Sequence, residues 1–175
     1  MPDWLPEMFC VDPWGHNTYD HLYRVFCDAI RDVPLRYEGN RVWFFPEKED
    51  GREAIFWHLT TRKQRTGSVP RRKRKFERRG NLRDGSTERL PDFRRCERLP
   101  WVNPLIHHPA DPNVLAWDYK EGDGTIKTYA WIKTESFVVV MKRYQDMSRR
   151  LVTSFYVDKD YTRQDFERKY AGRLQ

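Results

Sequence analysis

Cysteine is scarce in this chain: 175 residues hold three, Cys10, Cys27 and Cys96, with no CxxC spacing. An odd count without paired spacing gives no disulfide framework, and it points to a reducing compartment. Glycine is also sparse, at nine residues. There is no Gly-rich phosphate loop and no Gly-x-Ser-x-Gly elbow, which disfavours nucleotide hydrolases and serine esterases. No apolar run approaches the roughly 20 residues that cross a bilayer. The segment from Met1 to Cys10 is acidic and holds two prolines, unlike a signal peptide. The expectation is a soluble, cytoplasmic protein that takes no cofactor and has no membrane partner. His107 and His108 beside Pro109 raise a metal site with Cys96 or Asp111. Adjacent histidines point apart on a strand, however, and no HxxxH spacing supports zinc, so none is expected.

Apolar residues make up only 38% of the chain and charged residues 34%, but 15% is Phe, Trp or Tyr. Large rings bury much area per residue, so a compact core is feasible in one domain spanning 1–175. The net charge is +7, and it is placed unevenly. Between Arg62 and Arg98 the chain reads "RKQR", "RRKRKFERR" and "RRCER". Such clusters suit an anionic partner, with nucleic acid ahead of a membrane surface or an acidic protein. A solvated basic loop is the plain alternative. The candidate nucleic-acid contacts are Arg62, Lys63, Arg71, Arg72, Lys73, Arg74 and Lys75, with Lys133 further along.

Hydrophobic periodicity predicts a helix over 17–32, because Leu22, Val25, Phe26, Ala29 and Ile30 form one stripe. Asn17 or Thr18 can cap its start and Pro34 stops it. "RVWFF" (41–45) reads as a strand after a Gly39-Asn40 turn signal. "AIFWHL" is either a short buried strand or a helix end, since so short a run does not separate the two. Residues 62–95 are predicted as a long basic loop. Within 113–158, "NVLAWDYK", "TIKTYAWIK", "FVVVMKRY" and "RRLVTSFYVD" are four strands joined by short connections, an antiparallel meander. "TRQDFERKY" closes the chain as a helix over 162–170, with Thr162 as its cap. The predicted fold is therefore α+β: an N-terminal helical part and strand within 1–50, a basic loop insertion, a four-stranded antiparallel sheet and a C-terminal helix.

Strand alternation places Lys127, Tyr129, Trp131 and Lys133 on one face, which would suit RNA if that face were open. Packing at a core edge is the plain alternative. In the last strand alternation groups Leu151, Thr153, Phe155 and Val157 against Val152, Ser154 and Tyr156.

The ordered set "FWHLTTR", "RRCERLPWVNPLI", "TYAWIKTESFVVVMKRY", "RRLVTSFYVD" and "RKY" resembles the barnase–EndoU–colicin–RelE nuclease superfamily, nearest its phage- and prophage-encoded branch. The likeness runs over roughly residues 50–170. It implies a helix-plus-antiparallel-sheet fold, metal-independent RNA cleavage and a setting as a toxin or phage-carried effector. It also implies that His58 and Thr153 belong to the site. Should the Thr153 face be buried, Ser154 or Tyr156 would take its place.

Cleaving RNA without a metal needs a base for the 2′-hydroxyl proton, an acid for the leaving 5′-oxygen and cations for the phosphorane. A histidine serves the proton transfers and an arginine grips phosphate through two N–H groups. The candidate catalytic set is His58, Arg98, Thr153 and Tyr129. The competing readings are a non-catalytic RNA- or DNA-binding module, and an interaction domain whose basic loop binds an acidic antitoxin or inhibitor.

The basic run yields a direct expectation. Replacing Arg71, Arg72, Lys73, Arg74 and Lys75 together by Ala weakens nucleic-acid binding and flattens its salt dependence, because fewer counterions are released. Thermal stability changes little, since solvated charges contribute little to it. An unaltered salt slope in filter binding would remove this run from the docking surface.

Overall fold

The computed structural model describes residues 1–65 and 87–174. Arg71, Arg72, Lys73, Arg74 and Lys75 lie outside the described residues. The predicted first helix is α-helical over Thr18–Phe26 (α1) and continues as a π turn over Cys27–Arg31. Leu22, Phe26 and Ile30 of its apolar stripe are buried. Asn17 flanks the helix without a capping bond from its side chain. Thr18 Oγ1 instead accepts from the Gly15 N–H at 2.9 Å.

Strands β1 (Leu35–Tyr37) and β2 (Asn40–Trp43) form a hairpin. Its turn residues are Glu38 and Gly39, with φ of 49° and 79°. Positive φ at both positions is the type I′ geometry that matches strand twist. A second small hairpin, β3 (Lys48–Glu49) and β4 (Arg52–Glu53), leads into α2 (Ala54–Thr60). "AIFWHL" is therefore helical, and it buries Ile55, Phe56 and Leu59. The predicted long basic loop is partly regular: β5 (Thr61–Arg65) pairs antiparallel with β6 (Thr87–Pro91), and α3 covers Phe93–Glu97. A 3₁₀ turn at Leu99–Trp101 and α4 (Val102–His107) follow.

The main sheet holds six strands, not four, and it is mixed rather than purely antiparallel. Strands β7 (Val114–Lys120), β8 (Ile126–Ile132), β9 (Phe137–Arg143) and β10 (Arg149–Tyr156) pair antiparallel in chain order. The free edge of β10 then takes β2 in parallel, with Val42 opposite Arg149 and Trp43 opposite Arg150. Nothing in local periodicity announces a parallel pairing between segments about a hundred residues apart, because the crossover is the whole intervening chain.

Each face of the sheet has its own core. One face packs Ala130, Ile132, Val139, Met141 and Leu151 against the buried residues of α1, α2 and α4. The other packs Trp117, Tyr129, Trp131, Val138 and Val140 against Phe166 of α5 (Asp160–Ala171). Helix α5 thus starts two residues before Thr162, which sits inside the first turn and does not cap it. Of the two readings for the face of Tyr129 and Trp131, open to RNA or packed, the structure shows packing against this helix; those two rings are 3% and 0% exposed.

A buried arginine ties the strands together. Arg149, 1% exposed, donates from Nε to Thr128 Oγ1 at 2.8 Å and from Nη1 to the Met147 carbonyl at 3.1 Å. Its guanidinium lies 4.1 Å from the Tyr37 ring centre and 3.6 Å from Asp118 Oδ2. Asp118 also accepts from Arg143 at 2.7 Å. A buried charge is tolerated where it is paired and hydrogen-bonded in this way. Among the described residues, no helix is long and apolar enough to cross a membrane.

Candidate functional site

The last strand is not a plain alternation. Leu151 pairs with Met141, but Thr153 pairs with Val140, so Val152 is one extra residue in a bulge. A bulge of this kind re-aims the side chains that follow it. Leu151 and Ser154 are buried while Thr153 is only half-buried. The grouping of Thr153 with Leu151 by alternation is therefore corrected. Of the two substitutes for a buried Thr153 face, Ser154 is 0% exposed, and Tyr156 lies under the Arg94 and Arg98 guanidinium groups, outside the cleft lining.

Helix α2 ends against this bulge. The last carbonyls of a helix have no partner within it, and here other elements supply them. The His58 carbonyl accepts from Arg95 Nη1 at 2.8 Å and from Thr153 Oγ1 at 3.2 Å. The Thr60 carbonyl accepts from the Asp92 N–H at 3.0 Å and from the Cys96 thiol at 3.2 Å. Trp57 presents its carbonyl to the Thr61 hydroxyl at 2.6 Å. A cation such as Arg95 is also favoured at the negative end of a helix. The His58 side chain is exposed, so it does not close a core.

Asp92 gathers the arginines. Its carboxylate is 6% exposed and accepts from Arg62 Nε at 3.1 Å and Nη2 at 2.9 Å. Arg95 Nε lies 3.2 Å from the same oxygen. Hydrogen bonding to Asp92 raises the Arg62 pKa above its ordinary value. Burial pulls that of Arg95 down, with the Asp92 carboxylate opposing the shift. Cys96, beside them, is pushed up to about 12 by burial, so it stays a thiol at neutral pH.

Arg62 and Arg95 belong to a cleft of about 530 Å³ whose lining also includes His58, Thr153, Arg89 and Arg150, with Glu47 as its carboxylate. The volume is that of a small-ligand site. Arg89 is paired with Glu49 at 2.8 Å. Arg150 has no carboxylate partner among the described residues; its guanidinium lies 4.6 Å from the centre of the Phe45 ring.

The expected residues divide as follows. His58, Thr153 and Arg62 come together at the cleft. Arg98 does not line it: this side chain lies over Trp101 and Tyr156, at 5.2 and 5.0 Å from the ring centres, and bonds Glu97. Tyr129 is on the α5 side, bonded to Glu121 and Lys169. Burial, then its Glu121 partner, raises the Tyr129 pKa, so it offers no titrating proton to the cleft. Lys133 pairs with Glu167 at 2.6 Å on that same side. Lys63 falls on β5, and its partner across the ladder is Arg89.

Arg95, Arg89, Arg150 and Glu47 were not anticipated. Arg95 lay in view inside "RRCER", but only the start of α3 at Phe93 determines which arginine of that run turns inward. Among the described residues, no three His, Cys, Asp or Glu side chains gather as a metal site. His107 and His108 instead hydrogen-bond through Nδ1 to the Asn103 and Pro104 carbonyls, at 3.0 and 2.8 Å. No family model, no curated protein and no solved structure matches the chain.

The Asp92 hub carries a stability prediction. Asp92→Asn weakens the bonds to Arg62 and leaves Arg95 with an uncompensated neighbour, costing about 1–3 kcal/mol. Urea unfolding measures it. A variant as stable as the parent would show that the hub does not hold the two arginines.

Proposed function

We propose that the cleft cleaves single-stranded RNA by metal-independent transphosphorylation. The observation that carries this reading is the meeting of an exposed histidine, a carboxylate and several arginines around one opening. A binding module requires the cations but not the two proton-transfer groups among them.

The chemistry maps onto the lining as follows. A base removes the 2′-hydroxyl proton, the 2′-oxygen attacks phosphorus, and the bond to the 5′-oxygen breaks as an acid protonates it. Glu47 and His58 are the lining groups whose side chains can take up and give up a proton. Glu47 takes the role of base and His58 that of acid. Arg150, free of a carboxylate partner among the described residues, meets the phosphate first. Arg62 and Arg95, held by Asp92, add charge where the phosphorane becomes more negative. Positioned cations of this kind stabilise the transition state without reorganising during the step.

Thr153, a member of the candidate catalytic set, takes a positioning role here. Its hydroxyl lies 3.2 Å from the His58 carbonyl, so the residue acts as a positioning group for the end of α2. Tyr129 and Arg98 are not assigned to the chemistry.

His58→Ala tests the reading. Cleavage falls by about two to four orders of magnitude, the usual worth of a positioned acid or base. Affinity for RNA persists, because cations supply the attraction. The melting temperature is measured beside the rate, so that loss of the fold is told apart from loss of the proton transfer. A folded His58→Ala protein with undiminished cleavage would remove His58 from the mechanism and leave nucleic-acid binding as the function.

A further inference from the structure

The α5 face of the sheet does not end where α5 does. Toward β2 it continues as a strip that no helix covers among the described residues, and three cations stand there on directly paired positions. Lys127 is opposite Lys142, and Lys142 is opposite Arg150. Like charges directly across a ladder destabilise a sheet. Lys127 has Glu121 at 3.9 Å, but Lys142 and Arg150 have no carboxylate partner among the described residues. The row is therefore held at a cost that an anionic ligand would relieve.

Aromatic rings flank these cations. Trp43, opposite Arg150 on β2, lies 5.6 Å from Tyr144 at an interplanar angle of 32° and 5.3 Å from Phe45. Lys142 Nζ is 5.5 Å from the Tyr144 ring centre. Phe45 is 46% exposed, and neither Trp43 nor Tyr144 is packed into either core among the described residues. Trp43 and Tyr144 line a groove of about 610 Å³ that the exposed Arg41 also lines. Asp146, also in its lining, has its carboxylate turned to the Ser148 N–H and hydroxyl at 3.0 and 2.7 Å. Phe45 and Arg150 belong to the cleft lining as well, so strip and cleft are continuous.

We propose that this strip is a subsite for the nucleotides flanking the cleaved bond, in which bases stack on Trp43 and Tyr144 while Lys142 and Arg41 hold their phosphates. Alternation of ring and cation along a surface is the pattern that binds single strands. A duplex keeps its base faces stacked inside and cannot use the rings. The partner is single-stranded RNA, an identification that rests on the cleavage reading given above, while the stacking itself does not require cleavage.

The test uses the full chain and a 2′-O-methyl oligoribonucleotide of about ten residues, a typical length for such a groove, which cannot react through its 2′-oxygen. Trp43→Ala binds it about tenfold more weakly, the order of magnitude of one lost stacking platform. Trp43→Phe stays within about threefold of the parent, since a ring is still offered. Lys142→Ala lowers the slope of log affinity against log salt by about 1. Circular dichroism checks folding, and Tyr144→Ala carries the same expectation if Trp43→Ala does not fold. Undiminished affinity in a folded ring variant, or a duplex bound as tightly as the single strand, overturns the subsite. A protein that binds the strand through Trp43 but cuts no RNA overturns the cleavage reading and leaves the subsite standing.

Discussion

The carbonyl of His58 accepts two hydrogen bonds from outside its own helix, one from Arg95 on α3 and one from Thr153 on β10. Three segments far apart in sequence meet at that oxygen. The short helix α2 could not hold its C-terminal carbonyls alone, so its end is defined by whatever satisfies them. The groups that do so are the same ones that shape the cleft. Positioning of the histidine and positioning of the arginine are thus one constraint, and Asp92 extends it to Arg62.

The sheet accounts for where the cleft lies. Its two faces are closed by different helices, and α5 spends the Tyr129 and Trp131 surface on packing around Phe166. Among the described residues, neither core covers Trp43 and Arg150, which the parallel β2–β10 pairing sets side by side. The bulge at Val152 falls in the same stretch and directs Thr153 to α2 rather than into the core with Leu151. Bulges commonly occur beside functional sites because they redirect a side chain without ending the strand. The buried Arg149, bonded to Thr128 and lying close to Asp118 and Tyr37, fixes the start of β10 just before that stretch.

Periodicity made some of this legible and left the rest out of reach. The stripe Leu22, Phe26 and Ile30 announced the first helix, and four alternating runs with short connections announced the meander, because both signals are local. The parallel addition of β2 is a long-range event with no local mark. Counting alternation through Val152 assigned Thr153 to the wrong face, since one inserted residue inverts every later position. His58 and Thr153 were reached through resemblance, and the geometry brings them to one cleft with Arg62. Arg98 was chosen over Arg95 from a run of similar residues, and a shift of three along a short helix decides which one turns toward α2. Tyr129 looked available because nothing in its own strand reveals that Phe166 covers it.

The central claim is that the cleft performs transphosphorylation, and the ends of the RNA products test it most directly. Wild-type protein is incubated with single-stranded RNA in EDTA and the new termini are analysed. The account predicts 2′,3′-cyclic phosphate and 5′-hydroxyl ends, and no cut where the nucleotide 5′ to the scissile bond lacks its 2′-hydroxyl. Intact RNA, or products ending in 3′-hydroxyl and 5′-phosphate, would contradict it.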